Sequence, residues 1–261
     1  MSLPDNPLAR QIQTFVPEPG GLAIYWLCQS GIVFKGGSGR VVCIDPYFSD
    51  VVEKKFGFAR MMACPMAAED LDADLVICTH EHLDHMDTDA LPVIARNSRI
   101  HFAGPIECYK AFQELGISIN RCHLLSEGQS IQAGGVTVHG VFADHGIHAP
   151  DALGVVVDFG GIRVYHTGDT AYRPDQFGPA IDFKPDVLIP CINGRYGNMN
   201  ATEAAQLCSQ AQPRLCIASH FWMFVQHNGD PGLFLSECNR LAPEVEAVVM
   251  KPGGVRVFPG V

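Results

Sequence analysis

One short segment of the chain holds most of its candidate chemistry. Residues 79–87 read T-H-E-H-L-D-H-M-D, so four candidate metal ligands lie within six residues: His80, His82, Asp84 and His85. In an extended segment, side chains two positions apart project to the same side, so His80 and His82 are able to share one cation. The pattern is not the H-E-x-x-H helix motif, because Asp84 stands four residues after His80. The segment therefore predicts a metal site built from imidazoles and carboxylates.

A cation held by these residues needs more donors, and three later positions offer them. His145, Asp169 and His220 each follow directly on an apolar run with the character of a strand. Donors placed at the ends of neighbouring strands converge on one edge of a sheet. His148 is an alternative to His145, which is preferred because it lies nearer the strand end.

These donor types suggest hydrolysis. Imidazoles and carboxylates without a thiolate suit Zn²⁺, Mn²⁺ or Fe, bound as one ion or as a pair. A bound divalent ion lowers the pKa of water from 15.7 to about 7, which supplies hydroxide at neutral pH. Asp84 is the candidate catalytic base, and it would orient the hydroxide and move its proton. Asp45 ends a predicted strand and would either accept a hydrogen bond from a ligand histidine or make an ordinary turn.

Weaker patterns bear on the substrate. The loop 192–200 follows a predicted strand and precedes a predicted helix, and it contains Asn193 and Arg195. An arginine there would bind a phosphate or carboxylate with two parallel hydrogen bonds, although a Gly- and Asn-rich loop also arises for purely conformational reasons. Trp222 follows His220 and would either wall the pocket or belong to the core. Together these residues predict a small anionic substrate.

Alternating apolar runs and turn signals define the elements that must position these residues. Strands are predicted over 22–28, 31–34, 41–45, 73–78, 131–133, 136–142, 153–159, 163–166, 187–190, 215–219, 247–250 and 255–258. Helices are predicted over 88–96, 106–115, 202–210 and 231–240. The strands come in two batches, which predicts an α/β (α+β) fold of two mixed sheets packed face to face with helices outside. Residues 1–20 are expected to form a surface arm, and 21–261 one hydrolase domain.

Composition limits the partners. The 261 residues are 47% hydrophobic, enough for a sizeable core, and the net charge of −10 argues against nucleic acid as a partner. No apolar run approaches the roughly 20 residues of a membrane helix, and no export signal opens the chain, so we expect a cytoplasmic protein with no membrane partner. The ten cysteines form no C-x-x-C pair and are expected to be reduced core residues. A homo-oligomer is compatible with this composition.

The order H-x-H-x-D-H, then His, then G-D, then His resembles the metallo-β-lactamase superfamily of hydrolases. The resemblance implies a four-layer αβ/βα sandwich with the metal site at one edge of the two sheets. It also implies that one metal is held by His80, His82 and His145. A second would be held or faced by Asp84, His85 and His220, and Asp169 would bridge the two.

Within that superfamily the chain is most similar to the L-ascorbate-6-phosphate lactonase type. The similarity lies in segments 22–27, 30–32, 78–87 and 165–169. It implies hydrolysis of a phosphorylated sugar lactone by a metal-bound hydroxide. The alternatives are a phosphodiesterase or phospholipase-type hydrolase on the same fold and, from another class, a non-catalytic metal-binding protein.

Overall fold

The computed structural model describes residues 4–258, which contain two seven-stranded mixed sheets. The strands, in chain order, are β1 (Leu22–Trp26), β2 (Ile32–Gly36), β3 (Val41–Ile44), β4 (Leu75–Ile77), β5 (His101–Gly104), β6 (Cys122–Leu124), β7 (Ser130–Ala133), β8 (Val136–Phe142), β9 (Leu153–Asp158), β10 (Arg163–His166), β11 (Val187–Ile189), β12 (Leu215–Ile217), β13 (Glu246–Val248) and β14 (Val255–Phe258). The first sheet has the order β14-β1-β2-β3-β4-β5-β6, and the second β13-β12-β11-β10-β9-β8-β7.

The helices cover the outer faces of the sheets. They are α1 (Pro7–Thr14), α2 (Val51–Phe56), α3 (Leu91–Ile94), α4 (Ile106–Glu114), α5 (Gly178–Ile181), α6 (Ala201–Ala211) and α7 (Pro231–Leu241), with three short 3₁₀ turns at Ala68–Asp70, Ile119–Arg121 and Gly146–His148. The predicted class, two packed mixed sheets flanked by helices in the metallo-β-lactamase arrangement, is confirmed.

Strand β1 shows why both faces of a sheet are apolar. Leu22, Ile24 and Trp26 point into the core between the two sheets, together with residues of the second sheet. Ala23 and Tyr25 point the other way, into a second apolar layer shared with α1, α3 and α4. Because successive strand side chains alternate in direction, a strand that is buried on both faces must be apolar at every position, as the run 22–26 is.

Strand direction brings the candidate residues to one edge. In the first sheet, β1 and β3 both run antiparallel to β2, and β4 runs parallel to β3, so all three end at the same side. In the second sheet, β10, β11 and β12 are parallel, and β8 runs in their direction because β9 is antiparallel to both of its neighbours. The segments that leave these carboxyl ends are those with the candidate donors.

The predicted surface arm contains a short helix in its described part, residues 4–20. Asn6 caps helix α1 by accepting from the backbone N–H groups of Leu8 and Ala9. Leu8, Ala9 and Ile12 are buried, and the Lys35 ammonium donates to the carbonyl of Ile12 at 2.7 Å. Helix α1 was not predicted, because its burial comes from contacts with distant residues that the weak local pattern does not show. Helix α2 was not predicted either.

Among residues 4–258, no helix has both the length and the apolar character needed to cross a membrane.

Candidate metal centre

Segments leaving the carboxyl ends of β4, β8, β10 and β12 meet at the edge between the sheets. They bring together all seven of the predicted donors, and His227 joins them: His80, His82, Asp84, His85, His145, Asp169, His220 and His227. Offered ligand atoms lie within 4.8 Å of one another in three groups, which are His80/His82/His145, His80/His85/Asp169 and Asp84/His220/His227. The predicted convergence of donors from four strand ends is therefore present in the structure.

The first group consists of three imidazoles. His82 Nδ1 lies 3.0 Å from His80 Nε2 and 3.1 Å from His145 Nε2. His80 and His145 are buried, whereas His82 is partly exposed. His148, the alternative to His145, is exposed and belongs to none of the donor groups.

Asp169 lies between this group and the remaining histidines. One of its carboxylate oxygens, Oδ2, is 3.1 Å from His220 Nε2 and 3.7 Å from His145 Nε2. The other, Oδ1, is 3.4 Å from His85 Nε2. This placement allows the carboxylate to interact with cations on either side, as a bridging ligand does.

The close approach of these nitrogens tests whether a cation fits. His80 Nε2 faces His82 Nδ1 at 3.0 Å, and His85 Nε2 faces His220 Nε2 at 3.1 Å. Two neutral imidazole lone pairs repel at that separation unless a proton or a metal ion lies between them. The buried Oδ1 of Asp169 also has no hydrogen-bond partner within residues 4–258. The donor set of nitrogen and carboxylate oxygen suits a divalent transition-metal ion.

Asp45, the predicted supporting carboxylate, is fully buried after β3. Its Oδ2 accepts from His85 Nδ1 at 2.8 Å, from Thr79 Oγ1 at 2.8 Å and from Ser30 Oγ at 3.1 Å. Its Oδ1 accepts from the Thr79 backbone N–H at 2.7 Å. A carboxylate that accepts from Nδ1 leaves Nε2 of the same ring available to a cation.

Asp169 is held from two directions. The Asn198 amide donates to its Oδ2 at 2.7 Å. The preceding Gly168 has φ of +60°, and a Cβ at that position would lie 2.6 Å from the Leu153 carbonyl oxygen. Only glycine tolerates both the backbone conformation and the close packing, so Gly168 fixes where Asp169 leaves β10.

Burial keeps the first group of histidines neutral. Loss of solvation, reinforced by the neighbouring imidazoles, lowers the pKa of His80 well below 6.5 and that of His82 to about 4. Burial likewise lowers the pKa of His145. Neutral imidazoles carry the lone pairs that a cation needs, so this group is ready to bind one near neutral pH.

The other histidines behave in the opposite way. Burial alone would lower the pKa of His220, yet Asp169 and Asp84 outweigh it and raise that pKa to about 9. The pKa of His85 is raised well above 6.5 for the same reason, with Asp169 as the strongest opposing charge. Burial opposes ionisation of Asp84 and Asp169, but the facing imidazoliums hold both carboxyl pKa values well below 3.8.

A cavity of about 630 Å³ opens onto these donors. Its other walls include the apolar side chains Val52, Phe56, Phe58, Leu83 and Phe224, together with Tyr196. No lysine or arginine of the described chain lines it. The cavity therefore places apolar surface directly beside the donor cluster.

The three residues predicted to bind substrate lie outside this cavity lining. Arg195 is exposed, and its guanidinium faces the Asn228 side-chain amide. Asn193 is buried, with Nδ2 directed at the Arg195 carbonyl at 3.5 Å. Trp222 is 50% exposed and donates from Nε1 to the Gly229 carbonyl. Arg195 therefore does not line the cavity onto which the donors open.

Two residues at the site were not predicted from the sequence. Gln29 is fully buried, and its amide nitrogen lies 2.6 Å from Asp84 Oδ2. His227 packs its ring 4.9 Å from that of His220. The one available signal for Gln29 was its place directly after a predicted strand, the position shared by the other donors.

Comparison with known proteins gives consistent matches. Residues 23–220 match the β-lactamase superfamily domain. A UPF0173 metal-dependent hydrolase of Rubrobacter xylanophilus is 30% identical over 249 residues, which cover 90% of this chain and 96% of that relative. One from Herpetosiphon aurantiacus is 26% identical over 246 residues, covering 90% and 98%. The structure of Igni18, a metallo hydrolase from the archaeon Ignicoccus hospitalis, superposes with a TM-score of 0.74 at 22% identity, covering 92% of this chain and 99% of that one.

Proposed function

This chain belongs to the β-lactamase superfamily and, within it, to the UPF0173 metal-dependent hydrolases, and we propose that it hydrolyses the ester bond of a lactone with an apolar side chain. The observation that carries the proposal is a cluster of imidazole and carboxylate donors that opens directly onto a cavity in which Val52, Phe56, Phe58, Leu83 and Phe224 form an apolar wall. The donor cluster would bind the catalytic cation, and the apolar side chains of the cavity would determine which substrate is preferred.

The residues that would hold the cation belong to the two donor groups that share His80, namely His82 and His145 in one and His85 and Asp169 in the other. Zn²⁺ and Mn²⁺ both suit this donor set, and Fe is compatible with it. A divalent cation held there would lower the pKa of water and polarise the ester carbonyl, which is the chemistry that hydrolysis requires.

Asp84 is placed to transfer the proton of the attacking water during hydrolysis. Its carboxylate lines the cavity and is ionised, because His85 and His220 counter the cost of its burial. Oδ2 is held by the Gln29 amide, whereas Oδ1 has no hydrogen-bond partner within residues 4–258. Asp84 accepts a proton from the attacking water and returns it to the ring oxygen as the C–O bond breaks. A lactone and one water thereby give a hydroxy acid.

The apolar walls decide between neutral and anionic substrates. Phe58, Leu83 and Phe224 offer hydrocarbon surface for an alkyl chain, and no lysine or arginine of the described chain lines the cavity to bind a phosphate. Each methylene transferred from water to such a surface contributes about 0.8 kcal/mol. The resemblance to the ascorbate-phosphate lactonase type implied a phosphorylated sugar lactone, which this lining matches poorly.

Two lactones with the same ring test the proposal, one with an alkyl chain and one with a phosphorylated polyol chain. Two buried methylenes correspond to a preference of about tenfold in kcat/KM for the alkyl compound. His82→Ala should remove both bound metal and turnover. His148→Ala is the matched control for metal binding, because His148 lines the cavity but belongs to no donor group, and it should retain the bound metal.

Two results would count against the proposal. Turnover that survives exhaustive chelation would exclude the cation from the reaction. A preference for the phosphorylated lactone, or for a phosphodiester, would show that the apolar walls do not select the substrate.

A further inference from the structure

Gln29 is a buried amide whose side chain points into the donor cluster. Its Nε2 lies 2.6 Å from Asp84 Oδ2, 3.0 Å from His220 Nε2 and 3.3 Å from His227 Nδ1. Its backbone carbonyl accepts from the His220 backbone N–H and from Trp26 Nε1, each at 3.0 Å. The residue is therefore fixed at both its backbone and its side chain.

The three atoms that surround this nitrogen belong to the third donor group, Asp84, His220 and His227. The orientation of the amide is set by Asp84, because turning it over would place two oxygens 2.6 Å apart. An amide nitrogen has two hydrogens, so it satisfies two of its three neighbours at a time. A carboxylate oxygen and two ring nitrogens that surround one electropositive centre form the arrangement that a cation would otherwise occupy.

We propose that the Gln29 amide stands in for a second cation, so that the protein binds one divalent ion tightly and a second only after Gln29 is displaced. The inference rests on the proposed function for the first cation, at His80, His82 and His145. It assigns to Gln29 the role of a positioning residue that sets the metal stoichiometry and holds Asp84 in place.

The surroundings of Gln29 carry a conformational cost. Its φ is +52°, in the left-handed region that L-residues rarely adopt, and the neighbouring Cys28 has φ of +76°. The buried Oε1 has no hydrogen-bond partner within the described chain. Strain and an unsatisfied buried oxygen persist only where the surrounding structure holds them, and they occur most often at functional sites.

Equilibrium dialysis against rising free Zn²⁺, followed by elemental analysis, tests the proposal on the full chain. The wild type should bind one ion per chain, with a second ion appearing only at much higher Zn²⁺. Gln29→Ala vacates the position and should tighten the second binding step by about tenfold or more, the scale on which such contacting residues tune a metal site. Gln113→Ala, on the outer surface of α4, is the control and should leave the binding curve unchanged.

Gln29→Glu provides an independent variant if Gln29→Ala does not fold. Its carboxylate faces Asp84, so the metal-free variant should melt at a lower temperature than the wild type and recover when Zn²⁺ is added. The rise in melting temperature on adding Zn²⁺ should exceed that of the wild type, whereas a purely structural glutamine would give equal rises. The variant should also bind two ions per chain, because the exchange replaces a hydrogen-bond donor by a ligand.

The outcomes separate this inference from the proposed function. A wild type that binds two ions with similar affinity, or Gln29 variants that retain wild-type stoichiometry, overturns the role of Gln29 and leaves the first site intact. A wild type that binds no ion overturns both. Melting curves and circular dichroism establish that each variant is folded before dialysis.

Discussion

Replacing Asp45 with Asn is expected to weaken metal binding without touching a ligand. Asp45 Oδ2 accepts from His85 Nδ1 at 2.8 Å, so the Nδ1 hydrogen is held on that side of the ring. An Asn amide placed there presents N–H groups to the same nitrogen, which favours the tautomer with its hydrogen on Nε2. His85 Nε2, which lies 3.4 Å from Asp169 Oδ1, then has no lone pair with which to bind a cation.

The size of the effect follows from these contacts. Loss of a partner that orients a metal ligand costs about 10–100-fold in metal affinity, or about 1.4–2.7 kcal/mol. After the substitution, the Thr79 backbone N–H still donates to the remaining Oδ1. The hydroxyls of Thr79 and Ser30 lose their acceptor, but they are able to rotate and accept hydrogen bonds from the new amide N–H groups. Stability should therefore fall by only about 1–3 kcal/mol.

Asp87 provides a matched control. It is as fully buried as Asp45 and accepts from the backbone N–H groups of Phe48, Ser49 and Ala90, but it contacts no imidazole. Asp87→Asn should lower the melting temperature by a similar amount and leave metal affinity unchanged, measured by competition with a chelator of known affinity. Equal losses of metal affinity in the two variants would refute the tautomer argument, because general destabilisation would then account for both.

Two further predictions concern protons. Asp84→Asn should spare folding and metal content while lowering kcat by about 10²–10⁴-fold, the usual contribution of a positioned base, and a wild-type kcat would remove Asp84 from the mechanism. In metal-free protein, the free energy of unfolding should fall as the pH drops from 6.5 towards 4. The unfolded chain takes up protons near pH 6.5, whereas burial holds the folded pKa of His82 and of His227 at about 4. Denaturant titrations across that range, in the presence of chelator, should show a slope that His82→Gln reduces; a flat profile in the wild type contradicts the assigned protonation states.

The donor cluster could be predicted from the sequence because its signals are local. His80, His82, Asp84 and His85 share one segment, and His145, Asp169 and His220 each follow an apolar run that forms a strand. The sheet then brings the ends of those strands together, since β8, β10, β11 and β12 run in one direction.

The rest depends on backbone conformations that residue types do not specify. Positive φ angles occur at three non-glycine residues near the site, Gln29, His220 and Trp222. The backbone turns at these positions direct Gln29 into the cluster and Trp222 away from it. The loop containing Arg195 is turned in the same way by Gly194 and Gly197, both with positive φ. A motif search finds residues suited to bind an anion, but it does not show in which direction such a loop points.

The contact between His220 and His227 was missed for a related reason. The segment 221–230 has little regular structure, so no periodic pattern indicates which of its side chains turn inward. His227 is brought back over His220 by packing against Phe224, with ring centroids 4.9 Å apart in both pairs.

The most direct test of the account is a crystal structure of protein loaded with Zn²⁺, with anomalous scattering measured at the zinc edge. We predict a peak at about 2.0–2.1 Å from nitrogen atoms of His80, His82 and His145, the distance of a zinc–imidazole bond. A fully loaded crystal without a peak there, or with its peak at the separate buried thiol group of Cys208, Cys216 and Cys238, would contradict the assignment of the metal centre.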